Sequence, residues 1–238
     1  MDVPDIGRFW SATTAPLLIS HGGDTASGAV SGTWTAYRRA HELGFRAFQV
    51  DVVPAADGAL LSMHAVFGRT PRLESGTLEA VRARLDDVPT LSELIAAYPD
   101  ARWNIELKSA RCEQRLVELI ELHPARHLLC ISAPFHTRVL RRLRRRFPDL
   151  STNASLLEGA LIGVALQPWR TCSADGVQVF SKLASGRVVN HHVRRGRAVQ
   201  VWTVNDGAEA SRLVDRGVVA LIVDDYLAVA GAVAQRTI

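Results

Sequence analysis

Residues 17–53, LLISHGGDTASGAVSGTWTAYRRAHELGFRAFQVDVV, contain the repeating unit that decides the fold of this chain. The apolar run at 17–20 predicts a buried strand, and residues 45–53 predict a second one. Between them, residues 33–43 have the pattern of an amphipathic helix that stops at Gly44. A strand, a helix and another strand in this order form a parallel pair joined by a right-handed crossover.

The same alternation of apolar runs and amphipathic stretches continues through the rest of the 238 residues. About eight strands are expected, which favours an α/β fold closed into a (β/α)8 TIM-type barrel over an open doubly wound sheet. We predict one domain over residues 1–238, with a short insertion after the second strand, at about 54–88, that contains a tight turn at Asp57–Gly58. The further strands are predicted at 103–107, 128–131, 152–154, 177–180, 199–204 and 218–223, and the further helices at 91–98, 112–122, 137–147, 208–216 and 227–234.

The chain is mildly basic, with 28 Lys and Arg, 24 Asp and Glu, and a net charge of +4. This charge is compatible with an anionic small molecule, and it lacks the basic stripe with stacking aromatics that is typical of nucleic-acid binding. The densest basic run, at 141–146, falls on a predicted helix, where we interpret it as a solvated face. We therefore expect a small-molecule substrate and no nucleic-acid partner, and the sequence does not indicate an oligomeric state.

Cysteine usage and hydrophobicity indicate where the protein is located. Cys112, Cys130 and Cys172 are odd in number and far apart, which argues against a disulfide framework or a zinc knuckle. No apolar run reaches the roughly 20 residues that a membrane-spanning helix needs, and the first residues lack a signal-peptide pattern. We expect a cytoplasmic protein without a membrane span.

Polar pairs interrupt two predicted strands near their carboxyl ends, where a parallel barrel has its active site. Gln49 and Asp51 are two residues apart on one strand, and Glu106 and Lys108 have the same spacing on another, so each pair shares one face. One interpretation is a layer of the barrel core that is satisfied by internal ion pairs. The other is a site for Mg²⁺ or Ca²⁺, which bind carboxylate and carbonyl oxygens, beside a lysine that pairs with phosphate.

Two histidines supply groups that phosphodiester chemistry needs. His21 ends the first strand, and His64 follows a short apolar run in the insertion. Phosphodiester cleavage needs a base that takes a proton from the attacking group and an acid that gives one to the leaving oxygen. Imidazoles with a pKa near 6.5 serve in both roles at neutral pH. The other six histidines are interpreted as structural.

Together, these motifs resemble the glycerophosphodiester phosphodiesterase family in their order and spacing. The resemblance extends from Leu17 to about Tyr226, which is almost the whole chain. The motifs that carry it are His21-Gly22-Gly23, Gln49-Val50-Asp51, Asp57-Gly58, His64-Ala65, Arg69-Thr70, Pro89-Thr90-Leu91, Asn104-Ile105-Glu106-Leu107-Lys108, Val201-Trp202-Thr203-Val204-Asn205 and the last strand from Gly217 to Asp224.

The resemblance implies a TIM-barrel enzyme that hydrolyses a glycerophosphodiester to glycerol 3-phosphate and an alcohol with the help of Mg²⁺ or Ca²⁺. It also implies that the substrate's own neighbouring hydroxyl attacks the phosphorus and that water opens the resulting cyclic ester. Carried over to this chain, the acid and base are His21 and His64, the metal ligands are Gln49, Asp51 and Glu106, and the residues that bind phosphate or line the substrate pocket are Lys108, Arg69 and Trp202.

The chain departs from the family pattern at several positions, including a Pro-Glu-Asn-Thr segment of which only Thr33 remains, a shorter insertion after His64, and three single motif positions. Gln49 stands in place of a metal-binding Glu, Gly22 in place of a phosphate-binding Arg, and Ala65 in place of an Asp. The first two losses are of opposite charge, so we hypothesise that they compensate and retune the site. Three alternatives follow. The first is an active hydrolase of an altered phosphodiester, which the retained histidines, carboxylates and lysine favour. The second is a catalytically impaired barrel that binds a phosphodiester or a protein, and the third is a lyase that releases the cyclic phosphate.

Overall fold

The computed structural model describes residues 9–10, 16–64, 75–85, 87–163 and 173–234. No helix in these ranges is both long enough and apolar enough to cross a membrane. The strands are β1 (Leu17–His21), β2 (Ala47–Pro54), β3 (Leu60–Ser62), β4 (Arg102–Leu107), β5 (Leu129–Ser132), β6 (Ser151–Thr152), β7 (Gly176–Phe180), β8 (Ala198–Trp202) and β9 (Ala220–Val223). The α-helices are α1 (Trp34–Leu43), α2 (Leu78–Arg82), α3 (Leu91–Ala97), α4 (Glu113–Leu122), α5 (Thr137–Arg146), α6 (Leu156–Gly163), α7 (Gly186–Val193), α8 (Gly207–Asp215) and α9 (Tyr226–Ala234).

The sheet closes into a barrel. Eight strands pair in parallel in the order β6-β5-β4-β2-β1-β9-β8-β7, and β3 pairs antiparallel with β2. A parallel bridge between Asn153 and Gly176 joins the two ends of this order. The (β/α)8 TIM-type barrel is therefore confirmed, and the insertion after the second strand contains β3 and α2. The open sheet is the alternative that the structure excludes.

Local sequence signals explain where several helices begin and end. The side chain of Thr33 accepts a hydrogen bond from the backbone N–H of Ala36, and Gly44 ends the same helix with a φ of 112°. Thr90 and Glu93 form a reciprocal capping box at the start of α3, as the sequence predicts. Such a cap contributes about 1 kcal/mol to the stability of a helix. The ends of these helices, in the first half of the chain, are thus set by residues within about one helical turn.

The helices α6 and α7, like the short helix α2 of the insertion, are absent from the sequence-based prediction. The residues of α6, LLEGALIG, show no clear polar face, and its two glycines lower helix propensity. The helix α7 carries the weak helix formers Asn190, His191 and His192, although Ser185 caps its start. Both helices connect parallel strands, and such strands need a crossover connection. The barrel topology therefore explains helices that local propensity does not.

The basic run on α5 does not form a single solvated face. The side chain of Arg144 is 7% exposed and forms an ion pair with the equally buried Glu158. Arg142 and Arg146 are about half exposed and pair with carboxylates of α4. The interpretation as a solvated face is therefore wrong for Arg144, whose contacts lie between α5, α6 and the end of β6.

The interior of the barrel changes from an apolar bottom to a polar top. At the amino ends of the strands, Phe9 and Trp10 are buried against small and aliphatic residues of β1, β2, β5, β8 and β9. Above this plug lies a layer of buried amide and hydroxyl groups that hydrogen-bond to one another. Because its donors are paired, this layer fixes the strands that carry the top of the barrel. Its members are Asn104, Ser132, Asn153 and Gln200.

A buried histidine on α7 makes the stability of the fold depend on pH. Burial lowers the pKa of His192 to about 4, and the nearby charges of His191, Arg197 and Arg195 act in the same direction. As the pH falls, the imidazole of His192 is protonated in the unfolded chain before it is protonated in the folded protein. The contribution of the neutral ring to stability is therefore complete above pH 6.5 and is lost as the pH falls towards 4.

Between pH 7 and pH 4, the free energy of unfolding should fall more in the wild type than in His192→Leu. The expected difference is about 1–2 kcal/mol, a figure discounted for the partial solvation of the ring. Urea unfolding at both pH values measures this difference. The matched control is His127→Leu, at an exposed histidine, which should leave the pH dependence unchanged. If the free energy of unfolding depends on pH identically in the wild type and His192→Leu, the lowered pKa of His192 is not a source of this dependence.

Candidate active site

Three adjacent strands bring the predicted site residues together at the carboxyl end of the barrel. In the pairing of β1 with β2, His21 lies beside Gln49, and in the pairing of β2 with β4, Asp51 lies beside Glu106. These residues alternate with core residues that face the helices, so their side chains point to the barrel interior. Lys108, two residues beyond Glu106, joins them at the mouth.

The two carboxylates share one ammonium and one amide. The Nζ of Lys108 lies 2.5 Å from Oε1 of Glu106 and 3.0 Å from Oδ2 of Asp51. The Nε2 of Gln49 donates to Oδ1 of Asp51 at 3.2 Å and to Oε2 of Glu106 at 3.4 Å. Burial and the charge of Asp51 raise the pKa of Glu106, and Lys108 and His21 oppose them. Burial lowers the pKa of Lys108, but both carboxylates outweigh this effect and raise it.

The donor atoms of this cluster fit a divalent cation, although with less charge than three carboxylates would supply. Among the described residues, no three His, Cys, Asp or Glu side chains are placed to hold a metal ion. The available set is two carboxylates, from Asp51 and Glu106, and the side-chain oxygen of Gln49, all hard ligands suited to Mg²⁺ or Ca²⁺. The buried Oδ2 of Asp51 has two ion-pairing neighbours among the described residues, Lys108 Nζ at 3.0 Å and His64 Nδ1 at 3.2 Å. A cation is thus the natural partner of this oxygen.

Each of the two candidate histidines is oriented by a carboxylate. The Nδ1 of His21 lies 2.9 Å from Oδ1 of Asp224, and the Nδ1 of His64 lies 3.2 Å from Oδ2 of Asp51. The hydrogen bond to Asp51 raises the pKa of His64 against the opposing effect of burial. The centroids of the two imidazoles are 5.5 Å apart, with the rings nearly perpendicular. In both rings, Nε2 is the nitrogen that remains for proton transfer with a substrate.

The insertion delivers His64 to the site. The strand β3 pairs with the end of β2, and the backbone N–H of Met63 donates to the carbonyl of Asp51 at 2.9 Å. This contact places the next residue over the carboxylate cluster. Arg69, the candidate phosphate ligand in the same insertion, lies outside the described residues, as does Ala65.

Asp224 and Asn205 are site residues to which the sequence analysis assigned no role. The Nδ2 of Asn205 donates to Oδ2 of Asp224 at 2.9 Å, and the backbone N–H of Asp224 donates back to Oδ1 of Asn205 at 2.8 Å. The hydrogen bond from His21 lowers the pKa of Asp224, although burial opposes it, and Asn205 adds to the effect, so this carboxylate stays ionised. The sequence signal was present, because both residues follow the carboxyl ends of predicted strands.

The space beside Gly22 is occupied. Gly22 has a φ of 70°, and a Cβ atom built there would lie 2.1 Å from Oγ of Ser31. The loop is further held by a 2.7 Å hydrogen bond from the N–H of Gly32 to the carbonyl of Gly22. An arginine at this position would adopt a strained backbone and displace Ser31. The charge-compensation hypothesis is therefore better tested at Gln49 than at Gly22.

Trp202, the remaining candidate, lies at the end of β8. Its side chain is 40% exposed and packs at a ring distance of 5.3 Å against Phe180, its neighbour at the end of β7. The tryptophan thus reaches the mouth of the barrel, on the side opposite the strands that carry the carboxylates.

The chain is similar to known proteins over most of its length. The chain is 28% identical to the "Probable glycerophosphodiester phosphodiesterase 2" of Mycobacterium tuberculosis, over 87% of each chain. It is 26% identical to the glycerophosphodiester phosphodiesterase of Caldanaerobacter subterraneus, over 88% of this chain and 94% of that protein.

A solved structure shows the same fold. The phosphodiesterase of Oleispira antarctica, in complex with the product sn-glycerol-3-phosphate, superposes with a TM-score of 0.73 at 21% identity, over 92% of this chain and 97% of that one. Residues 21–228 match the sequence profile of the Glycerophosphoryl diester phosphodiesterase family. This match spans most of the chain and includes every strand of the barrel except β1, of which only His21 is covered. The chain therefore belongs to the glycerophosphoryl diester phosphodiesterase family of phosphoric diester hydrolases.

Proposed function

We propose that this protein is a metal-dependent phosphodiesterase that hydrolyses a glycerophosphodiester to glycerol 3-phosphate and an alcohol. The observation that carries the proposal is the pair of carboxylate-oriented imidazoles, His21 and His64, beside a cluster of two carboxylates and a lysine. This combination offers proton transfer and charge neutralisation at one phosphorus atom. The product bound by the Oleispira antarctica relative supports the choice of substrate class.

The residues that would hold the metal are Asp51 and Glu106, with the side-chain oxygen of Gln49. When bound, Mg²⁺ or Ca²⁺ polarises a phosphoryl oxygen and stabilises its developing negative charge. Lys108 contacts both carboxylates, so its ammonium competes with a cation for them. Once the carboxylates are neutralised in another way, Lys108 is available to pair with a phosphate oxygen.

The two histidines move the protons. One imidazole accepts the proton of the attacking oxygen, and the other protonates the alcohol oxygen as its bond to phosphorus breaks. By the route that the family resemblance implies, the attacking oxygen is the neighbouring hydroxyl of the glycerol, and water then opens the cyclic ester. Trp202 lines the pocket, and Arg69 of the insertion is the remaining phosphate ligand in this proposal. A lyase would stop at the cyclic ester.

Gln49→Glu is expected to raise the affinity for a divalent cation by at least about tenfold, because a third carboxylate joins the donor set. Isothermal titration calorimetry with Mg²⁺, Mn²⁺ and Ca²⁺ measures the affinity without relying on turnover. Without metal, the variant should be less stable than the wild type, since the amide that donates to both carboxylates is lost. Gln114→Glu, at an exposed position on α4, is the matched control. Equal metal affinity in the wild type and Gln49→Glu would exclude Gln49 from the metal site.

The activity itself is tested with purified protein, a panel of glycerophosphodiesters and each divalent cation, with products followed by phosphorus NMR. Turnover that a chelator abolishes is the expected result. A persistent cyclic-phosphate signal would identify a lyase instead. Turnover in Gln49→Glu alone would mean that the wild-type barrel has lost catalysis and that it binds a phosphodiester or a protein.

A further inference from the structure

The positive charge of this chain is concentrated on one flank of the barrel. Residues 111–149, which contain α4 and α5, hold nine arginines and four acidic residues, a net charge of +5. The whole chain has a net charge of +4, so all other residues together carry a net charge of −1. The two helices follow the paired strands β4 and β5 and are neighbours on the outside of the barrel. A local positive potential on this flank follows from the distribution.

Four arginines of α5 form a straight stripe on its solvent side. Their spacing of i, i+3, i+4 and i+7 puts them on one side of the helix, along about 10 Å of its length. All four are exposed, whereas the apolar residues of the same helix are buried against the barrel. We call these arginines the basic stripe, and its members are Arg138, Arg141, Arg142 and Arg145.

The basic stripe carries charge that the protein itself does not neutralise. Arg142 pairs with a carboxylate of α4. Arg141 lies 3.7 Å from Glu158, a carboxylate that already has a closer arginine partner. Arg138 and Arg145 form no ion pair within the described part of the chain. An anionic partner is therefore needed to neutralise the centre of the stripe.

A groove between α4 and α5 gives an anion access to these guanidinium groups. Its volume is about 340 Å³, and its lining residues are Glu113, Val117, Arg142, Leu143, Arg145 and Arg146. The one carboxylate in this set already accepts hydrogen bonds from Arg142. Because a guanidinium group presents two parallel N–H donors to phosphate oxygens, the groove suits a phosphate headgroup.

One end of this flank combines arginines with an exposed apolar group. Leu122, the last residue of α4, is 85% exposed. The preceding residue, Glu121, pairs with Arg146. The guanidinium groups of Arg146 and Arg126 lie 5.7 Å and 5.8 Å from the ring centroid of Phe147. An apolar side chain flanked by arginines matches the boundary between phospholipid headgroups and acyl chains.

The composition of the two helices favours a bilayer over a nucleic acid. Single-stranded nucleic acids are bound by basic grooves together with aromatic side chains on which the bases stack. Neither α4 nor α5 contains a Phe, Tyr or Trp residue. A phospholipid surface requires no stacking, and it has a place for the exposed leucine.

We propose that the basic stripe docks the protein on a bilayer surface that contains anionic phospholipid, with Leu122 inserted between the headgroups. The inference does not rest on the proposed function. The helices of a (β/α)8 barrel form a ring around its strands, so docking by this flank leaves the mouth open to water-soluble molecules.

The test is cosedimentation of the full chain with vesicles. One set contains equimolar phosphatidylcholine and phosphatidylglycerol, and the other contains phosphatidylcholine alone. At about 0.1 M salt, we expect at least about tenfold stronger binding to the mixed vesicles. At about 1 M salt this preference should disappear, because the Debye length falls to about 3 Å.

Variants separate the basic stripe from net charge. Arg138→Gln/Arg145→Gln should bind the mixed vesicles about 10- to 30-fold more weakly, since each arginine near an anionic surface contributes about fivefold. Arg187→Gln/Arg212→Gln, at exposed positions on α7 and α8, changes the net charge equally and should bind as the wild type. Leu122→Gln should weaken binding about fivefold without a change in charge.

Several results would overturn the inference. Equal binding to both kinds of vesicle would exclude recognition of an anionic surface. An equal loss in the two arginine pairs would assign the binding to net charge and not to the basic stripe. Wild-type binding by Leu122→Gln would exclude the insertion of this leucine. If single-stranded RNA binds more tightly than the vesicles, and Arg138→Gln/Arg145→Gln abolishes that binding, the stripe is a nucleic-acid surface instead.

Discussion

His21→Ala is expected to lower kcat by about 10²- to 10⁴-fold, the usual contribution of a positioned general acid or base. The imidazole is held by Asp224 at 2.9 Å and lies beside His64, so alanine removes one of the two proton carriers at the site. The measurement is steady-state kinetics on a glycerophosphodiester with saturating metal. The folded state should be retained, because His21 is at the mouth, outside the apolar plug and the buried amide layer.

Asp224→Asn tests the residue that orients His21, and it should have a smaller effect than His21→Ala. The amide keeps the shape of the side chain but removes the charge that orients His21, so kcat should fall less than in His21→Ala while KM changes little. His127→Ala, at an exposed histidine away from the mouth, is the matched control. Wild-type kcat in His21→Ala would remove this histidine from the mechanism. A loss in Asp224→Asn that equals the loss in His21→Ala and comes with unfolding would assign Asp224 to the fold.

Arg144→Ala should lower the free energy of unfolding by about 3 kcal/mol, because the buried carboxylate of Glu158 loses its closest cation and keeps only Arg141, at 3.7 Å, as an ion-pair partner. Both side chains are less than a tenth exposed, and Nη1 of Arg144 lies 2.8 Å from Oε1 of Glu158. The guanidinium also donates to Oγ1 of Thr152 at 2.7 Å and to the carbonyl of Asn153 at 2.9 Å. These bonds hold the two-residue strand β6, where the barrel closes.

Urea unfolding measures the effect, with Arg142→Ala as the matched control. Arg142 forms an exposed ion pair with Glu113, and its removal should leave stability within experimental error. The double variant Arg144→Met/Glu158→Leu should recover much of the loss, since an apolar pair of similar size leaves no unpaired charge. A loss below 1 kcal/mol in Arg144→Ala, as at a surface pair, would contradict the role of this ion pair.

Most strands and the helices with clear apolar faces could be predicted from the sequence. The capping residues Thr33 and Thr90 and the stop at Gly44 act within one turn of chain, so local sequence is enough to place them. The helices α6 and α7 could not be predicted, because α6 has no clear polar face, α7 is short and carries weak helix formers, and the need for a crossover is a property of the sheet. Arg144 is one of five arginines within residues 141–146, and only packing distinguishes the buried one.

In the candidate site, too, some features could be predicted from the sequence and others depend on the closed barrel. The spacing of Gln49 with Asp51 and of Glu106 with Lys108 puts each pair on one face of a strand, and parallel pairing brings the faces together. The partnership of His21 with Asp224 spans 203 residues, and it depends on the closure that makes β9 the neighbour of β1.

The sequence by itself therefore determined the alternation of strands and helices, the family, and the histidine, carboxylate and lysine side chains that converge at the barrel mouth. Only the tertiary structure decided that Gln49 donates to both carboxylates, that Lys108 lies between them, and that Asn205 and Asp224 support His21. The physical reason is the range of the interactions. Helix caps and strand alternation are set by residues a few positions apart, whereas hydrogen bonds and ion pairs of the site form between strands that become neighbours only when the barrel closes.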